Sequence, residues 1–327
     1  MTKYPAWQRR QFQKQWGNIL AIFISIALIF AILNGLIKTF SLKKYLGESK
    51  WDSKSSFVMA SGTNPAAVVV YQTEPKRIVI FKLGEDKYYF TGKQQNPLQK
   101  LSKAVNENNG QELTKILSLA FRADIKYYLF LKNNDSLNKE NINQMFKNFA
   151  SLGTPLVIVK GMNKSVKETN VTRKDLFKLW WQIKSLSINR VEIVDLSNLS
   201  QEIVTADKQK VIGVDEEAFN AKITPYLDNN ALINSNYKLN LQNASGNSSV
   251  GLLAADFINT VGFHVNDSKY VDEVEDQTKI FVSGKKSYAA RSLAKIFDCD
   301  IFSRQNEAGD EQITLIIGRD FAKRYYQ

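Results

Sequence analysis

The sequence contains one cysteine, Cys299, and one histidine, His264, among its 327 residues. A single cysteine excludes an internal disulfide framework, and a single histidine excludes multi-histidine metal sites and most catalytic triads. Because neither residue has a second Cys or His to pair with, we expect both to be packed side chains rather than a ligand or a base.

The rest of the composition is that of a folded, basic protein. Hydrophobic residues make up 44% of the chain, which is long enough for one or two ordinary cores. The 44 lysines and arginines outnumber the 32 aspartates and glutamates, so the formal net charge is +12. This balance suits an anionic partner, which is a nucleic acid, an acidic lipid headgroup or an acidic polymer. The location of the chain decides among them.

An apolar run near the amino terminus indicates that location. Residues 19–37, ILAIFISIALIFAILNGLI, contain no ionisable side chain, and about 19 residues at roughly 1.5 Å each reach about 28 Å, close to a bilayer's hydrocarbon thickness. The run is longer than the apolar part of a signal peptide, and no A-x-A-like cleavage site follows it. We therefore predict a retained transmembrane anchor over residues 17–40.

Basic residues on the two sides of the run favour a cytoplasmic amino terminus, residues 1–16. Those before the run are Lys3, Arg9, Arg10 and Lys14, and those after it are Lys38, Lys43 and Lys44. The predicted location is the cell membrane, crossed once, with the carboxyl-terminal bulk of the chain outside the cytoplasm.

The chain after the anchor predicts a mixed α/β fold. Residues 41–63 are polar and rich in small residues, which is typical of a tether. Residues 64–197 alternate strand patterns such as AAVVVY, RIVIFKL, YYLFL and PLVIVKG with helical ones such as GQELTKILSLAFR and TRKDLFKLWWQIKSLS. Residues 198–235 are expected to be a linker with one helical piece, DEEAFNAKITPYL.

Residues 236–327 predict a second, smaller domain. Its patterns run in the order βαββαβ, which predicts the split βαβ, ferredoxin-like arrangement. Together with the first domain this places the chain in the α/β (α+β) class.

A polar turn, NASGNSSVG, joins the first strand of this second domain to its first helix. A glycine-containing turn before a helix offers free backbone N–H groups to an anion, so Asn243, Ser245, Gly246 and Ser248 are candidate ligand-binding residues. The turn is neither G-x-G-x-x-G nor a Walker loop. The alternative is structural: Gly246 permits the turn, Ser248 or Ser249 caps the helix, and Gly251 lets the helix approach the sheet.

The same residues resemble the C-terminal domain of LytR-type cell-envelope proteins over about 236–324. That domain has a strand ending in Asn, a glycine-containing turn, Gly then Ala in a helix, a Gly-Phe exit, an alanine-rich second helix and a late Gly-x-Asp. The matching positions are Asn243, Gly246, Gly251, Ala254, Gly262, Phe263, Ala294, Gly318 and Asp320.

The preceding domain resembles the LytR-CpsA-Psr catalytic domain in a degenerate form. The family's phosphate-binding arginine falls on Glu85, and of that motif only Asp86 and Tyr88 persist. Family members transfer glycopolymers from polyprenyl-pyrophosphate carriers. The resemblance implies that this reaction needs arginines to bind the phosphates and carboxylates to hold a divalent metal. A glutamate at the arginine position repels a phosphate, so we expect no enzymatic activity.

Four other basic residues would rebuild a phosphate pocket, or else form a solvated basic face. They are Arg77, Lys82, Arg122 and Lys126.

These patterns predict a membrane-anchored, non-catalytic envelope protein that binds wall polymer or organises envelope assembly. The expected partners are the membrane, through residues 17–40, peptidoglycan or an anionic wall polymer, and an envelope protein; no nucleic acid and no cofactor or metal is expected. The alternative is a diverged glycopolymer transferase with a polyprenyl-pyrophosphate substrate, which would keep Asp86 as a catalytic residue and would need a divalent metal.

Overall fold

The structure, a computed structural model, describes residues 46–53, 55–91, 98–132, 138–160, 166–205, 208–227, 238–284, 286–304 and 312–326. The predicted anchor at 17–40 and the predicted cytoplasmic residues 1–16 lie outside these ranges. Within them, no helix is both long enough and apolar enough to span a bilayer.

The described residues form three β-sheets with helices packed on them. The strands are β1 (Phe57–Ser61), β2 (Ala67–Thr73), β3 (Lys76–Lys82), β4 (Tyr88–Phe90), β5 (Leu98–Lys100), β6 (Tyr127–Leu131), β7 (Val166–Thr169), β8 (Val191–Asp195), β9 (Gln201–Val204), β10 (Lys210–Gly213), β11 (Lys238–Asn243), β12 (Val265–Tyr270), β13 (Lys279–Ser283), β14 (Asp300–Arg304) and β15 (Gln312–Ile317). The α-helices are α1 (Leu101–Asn106), α2 (Gly110–Phe121), α3 (Lys139–Ala150), α4 (Thr154–Lys160), α5 (Arg173–Ile183), α6 (Glu216–Leu227), α7 (Ser248–Thr260), α8 (Tyr288–Phe297) and α9 (Arg319–Tyr325).

The first domain is built around a six-stranded mixed sheet in the order β7-β6-β1-β2-β3-β8. Its centre is the hairpin β2–β3, paired from Ala67↔Lys82 to Thr73↔Lys76. Side chains alternate along a strand, so Val68 and Val70 face one core while Ala67 and Tyr71 face the other. Helices α1, α2 and α6 cover the first face, and α3, α4 and α5 cover the second.

The PLVIVKG segment is helix α4, whereas the sequence pattern predicted a strand. Its β-branched residues favour a strand on propensity alone. In the structure Thr154 and Ile158, four residues apart, are both buried, while Leu156 and Val157 point outward. This is the spacing of one helix face, and the packing of that face overrides the propensity.

The predicted tether at 41–63 contributes to the core that α3, α4 and α5 cover. Strand β1 lies within it and pairs with both β2 and β6. Trp51 is buried and packs edge-on against Phe57 and Tyr71. The polar composition before β1 gives no sign of this role, because the polar groups of the segment bond to distant residues, the buried Asp175 carboxylate and the Lys178 ammonium, both on α5.

The predicted linker at 198–235 also carries elements. Strands β9 and β10 join β4 and β5 in a four-stranded sheet in the order β5-β4-β10-β9. Helix α6, which matches the predicted helical piece, buries Phe219 and Ile223 in the first core. The region was predicted as a linker because its strands are short and largely exposed.

The second domain is a five-stranded sheet in the order β12-β11-β15-β13-β14. Its order along the chain is βαββαββα, so the predicted βαββαβ lacked strand β14 and helix α9. The split βαβ prediction is wrong, because β11 and β12 are direct parallel neighbours, as are β13 and β14. Strand β14 escaped prediction because almost all of its side chains are exposed. The mixed α/β class itself is confirmed.

Candidate functional site

The turn between β11 and α7 is closed by its own side chains. The Asn243 amide donates to the carbonyl of Asn247 at 2.8 Å, and its oxygen accepts from the Ser245 hydroxyl at 2.7 Å and the Ser245 N–H at 3.2 Å. Gly246 has φ +79°, a backbone conformation that favours glycine. The candidate residues Asn243 and Ser245 are therefore buried members of the turn, whose polar groups bond to one another.

The helix that follows is capped by Asn247, whose side chain accepts from the Ser249 N–H at 3.0 Å. The prediction of Ser248 or Ser249 as the cap is wrong by one residue, since Ser248 already lies in the first turn of α7. A Cβ on Gly251 would lie 3.1 Å from the Asn243 amide nitrogen. The structural interpretation of the turn therefore accounts for its glycines and its asparagines.

The late Gly-x-Asp element is also structural. The Asp320 carboxylate accepts from the Thr278 N–H at 2.8 Å and from its hydroxyl at 2.7 Å. That hydroxyl accepts from the Gly318 N–H at 3.1 Å. A Cβ on Gly318 would lie 2.4 Å from the carbonyl carbon of Gln277, so only glycine fits there. The element ties β15 and α9 to the start of β13.

The four basic candidates do not converge on one pocket, and each is paired with a carboxylate. Arg77 and Lys82 lie on β3, where they face Glu192 at 3.7 Å and Asp195 at 3.2 Å across to β8. Arg122 lies beside a small cavity of about 270 Å³. It faces Asp256 at 3.6 Å and Glu216 at 3.9 Å.

Lys126, the fourth basic candidate, lies at the boundary of the two domains. Its ammonium is 2.9 Å from Asp124 and donates to the carbonyl of Lys295 at 2.5 Å.

Glu85 and Asp86, the residues at the degenerate motif, have different environments. A Glu85 oxygen accepts from the Ala66 N–H at 2.7 Å, so the carboxylate joins the loop before β2 to the loop after β3. Burial raises the pKa of Glu85, the Ala66 hydrogen bond opposes the rise, and Asp86 adds to it. Asp86 itself is exposed.

The transferase alternative would need a divalent metal. Among the described residues, no three His, Cys, Asp or Glu side chains come close enough to form a metal cluster.

A cleft of about 790 Å³ lies between the two domains. Its first-domain side includes Trp51, Tyr127 and Asn170, and its second-domain side includes Lys279 and Phe302. Clefts at domain boundaries that combine apolar walls with a few polar groups are common ligand sites.

Polar contacts across the boundary hold the cleft in shape. Tyr325 of α9 donates its hydroxyl to Asp124 at 3.2 Å. Lys295 of α8 bonds to Asp52, which lies just before β1. Leu119 of α2 is buried in the core of the second domain. The two domains therefore pack directly against each other.

Burial is the largest cause of the pKa shifts of Asp124 and Cys299 at this boundary. It raises the pKa of the Asp124 carboxyl, and the Lys126 ammonium and the Tyr325 hydroxyl oppose the rise. Burial raises the pKa of the Cys299 thiol to about 12, and the carboxylates of Asp320 and Asp300 add to that shift. Cys299 is thus the partly packed residue that the sequence predicted, whereas His264 is exposed before β12, contrary to expectation.

Most residues of the cleft were not predicted from the sequence, Lys126 being the exception. Asp124, Asp298 and Asp300 lie in short stretches, RADIK and FDCDIF, that carry no recognisable motif. Acidic residues beside an aromatic strand were the only local signal. Asp124, Asp298 and Asp300 lie in one cleft only because the two domains pack against each other, and a local sequence pattern does not show such packing.

Residues 236–321 match the family model LytR_C, described as LytR cell envelope-related transcriptional attenuator. The match runs from just before β11 into α9 and agrees with the resemblance found at about 236–324. The sequence matches none of the curated proteins.

Several solved structures resemble this chain. A transcriptional regulator from Enterococcus faecalis has 11% identity and a TM-score of 0.41, covering 54% of this chain and 88% of its own. TagV from Bacillus subtilis has 10% identity and a TM-score of 0.39, covering 53% and 97%. TagT, a LytR-CPS2A-psr family protein whose structure contains octaprenyl pyrophosphate lipid, has 11% identity and a TM-score of 0.35, covering 55% and 93%. Since all three TM-scores are below 0.5, the likeness of this chain to a known family rests on the match of residues 236–321 to the LytR_C model.

Proposed function

We propose that this chain is a membrane-anchored, non-catalytic protein of the cell envelope that binds an anionic wall polymer in the cleft between its two domains. The single observation that carries the proposal is the LytR_C match over residues 236–321, a family described as cell-envelope related. The uncharged run at 19–37 supplies the proposed anchor. The proposed location of both domains is outside the cytoplasm.

The composition of the cleft supports a glycopolymer as its ligand. Exposed and partly exposed aromatic rings, such as Tyr127 and Phe302, offer flat faces on which sugar rings can pack. The carboxylates and Asn170 offer hydrogen-bonding groups for hydroxyls. The exposed Lys50 supplies positive charge for phosphate groups along such a polymer, whereas Lys279 is paired with Glu275 at 2.7 Å.

Charge distribution favours contacts between polymer phosphates and the first domain. Residues 236–327 contain 11 Lys and Arg against 12 Asp and Glu, so this part of the chain is close to neutral. The rest of the chain, with 33 Lys and Arg against 20 Asp and Glu, therefore carries a net charge of +13, and residues 64–197 carry +9 of it (21 against 12). We infer that the second domain contributes mainly shape and aromatic contacts, and that the first domain contributes the attraction for the polyanion.

The position of Glu85 supports binding without transfer. Its carboxylate occupies the place that the family resemblance gives to a phosphate-binding arginine, and it is used to hold the Ala66 N–H. A phosphate brought to this position meets a carboxyl group instead of a guanidinium, so the interaction that would hold the substrate's pyrophosphate becomes repulsive when Glu85 is ionised.

The transferase alternative retains one specific residue, Asp86, which is exposed beside Glu85. If this alternative holds, Asp86→Asn abolishes polymer attachment in cells. Unchanged attachment with the variant at normal protein level would exclude it.

The binding proposal is tested with two exposed aromatic residues of the second domain. Phe302 lines the cleft and is 43% exposed, whereas Tyr288 lies outside it and is 36% exposed. We expect Phe302→Ala to weaken retention of the full chain, in detergent micelles, by wall sacculi about fivefold, since an aromatic contact contributes about 1 kcal/mol. Tyr288→Ala should bind as the wild type does.

Three results bear on the proposal. Equal retention of Phe302→Ala and Tyr288→Ala would show that the polymer does not bind in the cleft. No retention of the wild type would favour a role in organising envelope assembly through a protein partner. Sacculi stripped of anionic polymer should retain less protein than intact sacculi at low salt.

A further inference from the structure

The outer face of the α3–α5 layer exposes an unusual set of large apolar side chains. We call them the outer patch: Met145, Leu152, Leu156, Val157 and Trp181. Leu156 is 66% exposed and Trp181 is 57% exposed. The three helices pack on one another, and the Trp180 indole donates to the carbonyl of Ser151 at 2.9 Å. Leu152 and Trp181, the next residues along the chain, are thereby held on the same layer.

Basic residues predominate in the part of the chain that carries the outer patch. The described residues between 138 and 190 include nine lysines and arginines and three acids. One of those acids, Asp175, is completely buried, so it contributes nothing to the exposed surface. Lys147 and Lys160 are exposed on α3 and α4, and the Lys184 ammonium lies 3.1 Å from the centroid of a Trp181 ring. Apolar and tryptophan side chains flanked by lysines are typical of surfaces that lie in a membrane interface.

The chain enters the domain at this same layer. Leu46 packs against the core that α3–α5 cover, and the Asp175 carboxylate on α5 holds Ser49, Lys50 and Trp51. The predicted anchor ends at residue 40, and six extended residues reach at most about 20 Å. If the anchor crosses a bilayer, the α3–α5 layer is therefore held close to that bilayer's surface.

We propose that the outer patch docks on the anionic headgroup region of the membrane that holds the anchor. This proposal rests on the anchor of the proposed function. Leu152, Leu156 and Trp181 enter the boundary between headgroups and acyl chains, while the surrounding lysines contact lipid phosphates. Docking would fix the orientation of the first domain and hold the polymer-binding cleft at a set distance from the membrane.

The test uses a fluorophore on single cysteines in the full chain, with Cys299→Ser as background. Leu156→Cys labels the outer patch, and Leu252→Cys labels a leucine that is 74% exposed on α7 of the other domain. Each chain is reconstituted into vesicles with a quencher on the lipid, made either of phosphatidylglycerol with phosphatidylethanolamine or of phosphatidylcholine alone. We expect quenching at position 156 in the anionic vesicles, reduced by salt, and none at position 252.

Charge reversal tests the electrostatic part. We expect Lys147→Glu with Lys160→Glu to reduce the ratio of docked to undocked chains at least about 20-fold, because each lysine near an anionic surface contributes about a fivefold change. Lys222→Glu with Lys323→Glu, two exposed lysines away from the layer, should leave the ratio unchanged.

Vesicle flotation separates failure of the docking proposal from failure of the anchor. Chains that float with the vesicles but show no quenching at position 156, or equal quenching at 156 and 252, overturn the docking proposal and leave the anchor intact. If a second protein carries the chains to the vesicles and covers position 156, so that the lipid quencher does not reach the fluorophore, the patch binds a protein partner. That result also overturns docking. Chains that do not float overturn the anchor, and the docking with it.

Discussion

Removal of the Asp175 carboxylate should release the segment that leads from the predicted anchor into the first domain. Asp175 is 0% exposed and accepts from the Ser49 hydroxyl at 2.5 Å and from the N–H groups of Lys50 and Trp51 at 3.1 Å each. In Asp175→Ala these donors lose their acceptor, and the Trp51 N–H stays buried unless the segment detaches. The segment then leaves the core or remains with unsatisfied groups.

The size of the effect follows from those three bonds. A hydrogen bond to a charged group contributes about 1.5–3 kcal/mol, and an unsatisfied buried donor costs about 1–3 kcal/mol. Because detachment of the segment relieves part of this cost, we expect Asp175→Ala to lower the free energy of unfolding by about 3–5 kcal/mol. Asp175→Asn keeps one acceptor oxygen and should lose less. Asp86→Ala, at an exposed carboxylate, should change stability by less than about 0.5 kcal/mol.

Urea unfolding followed by tryptophan fluorescence follows the first domain and not the second, and the two remaining tryptophans, Trp7 and Trp16, precede both domains. Residues 236–327 contain no tryptophan, whereas Trp51, Trp180 and Trp181 all lie in the first domain. Circular dichroism of the same samples follows both domains. A loss below about 1 kcal/mol in Asp175→Ala, or a loss equal to that in Asp86→Ala, would refute the inference that this carboxylate holds the entry segment.

Three further predictions concern the second domain and its boundary. Leu241 is fully buried on β11, so Leu241→Ala should lower the free energy of unfolding by about 2–5 kcal/mol, whereas the exposed Leu252→Ala should change it by less than about 0.5 kcal/mol; equal losses by calorimetry would contradict the assigned core. The Cys299 thiol, with a pKa raised to about 12, should react with iodoacetamide at pH 8 roughly three orders of magnitude more slowly than in the urea-unfolded chain. Similar rates by mass spectrometry would argue against its burial. Because burial raises the pKa of Asp124 in the folded state, its contribution to stability is present below its unfolded pKa of about 4 and is lost as the pH rises through the folded pKa. The stability of the wild type relative to Asp124→Asn should therefore increase between pH 7 and about pH 4 in urea titrations, and a constant or falling difference would contradict the shift.

Local sequence patterns predicted the secondary structure correctly where one type of pattern dominated a segment. The hairpin β2–β3 follows from two continuous, β-rich apolar runs on either side of a short polar turn, and α5 follows from the helical spacing of apolar residues in TRKDLFKLWWQIKSLS. These patterns failed where packing decided between a strand and a helix. In α4, β-branched residues indicated a strand, but the burial of Thr154 and Ile158 made the segment a helix.

The cleft was beyond prediction because it depends on long-range contacts. Asp52 meets Lys295 and Asp124 meets Tyr325, pairs separated by more than 200 positions in the chain. The LytR-type motif, by contrast, was recognisable because Gly246 and Gly318 fill backbone positions that other residues do not fit and the Asn243 side chain closes the turn. A motif of this structural kind identifies the domain and leaves its ligand open.

A single reaction measures both whether the chain binds wall polymer and whether it transfers it. The full chain in detergent micelles is incubated with sacculi and a labelled glycopolymer on a polyprenyl-pyrophosphate carrier, with Mg²⁺ present. Protein retained by the sacculi is measured first, and label that resists removal of protein and lipid is measured second. We predict retained protein and no covalent label above a sample without protein. Covalent label that depends on the protein and is lost in Asp86→Asn would contradict the account and establish the transferase.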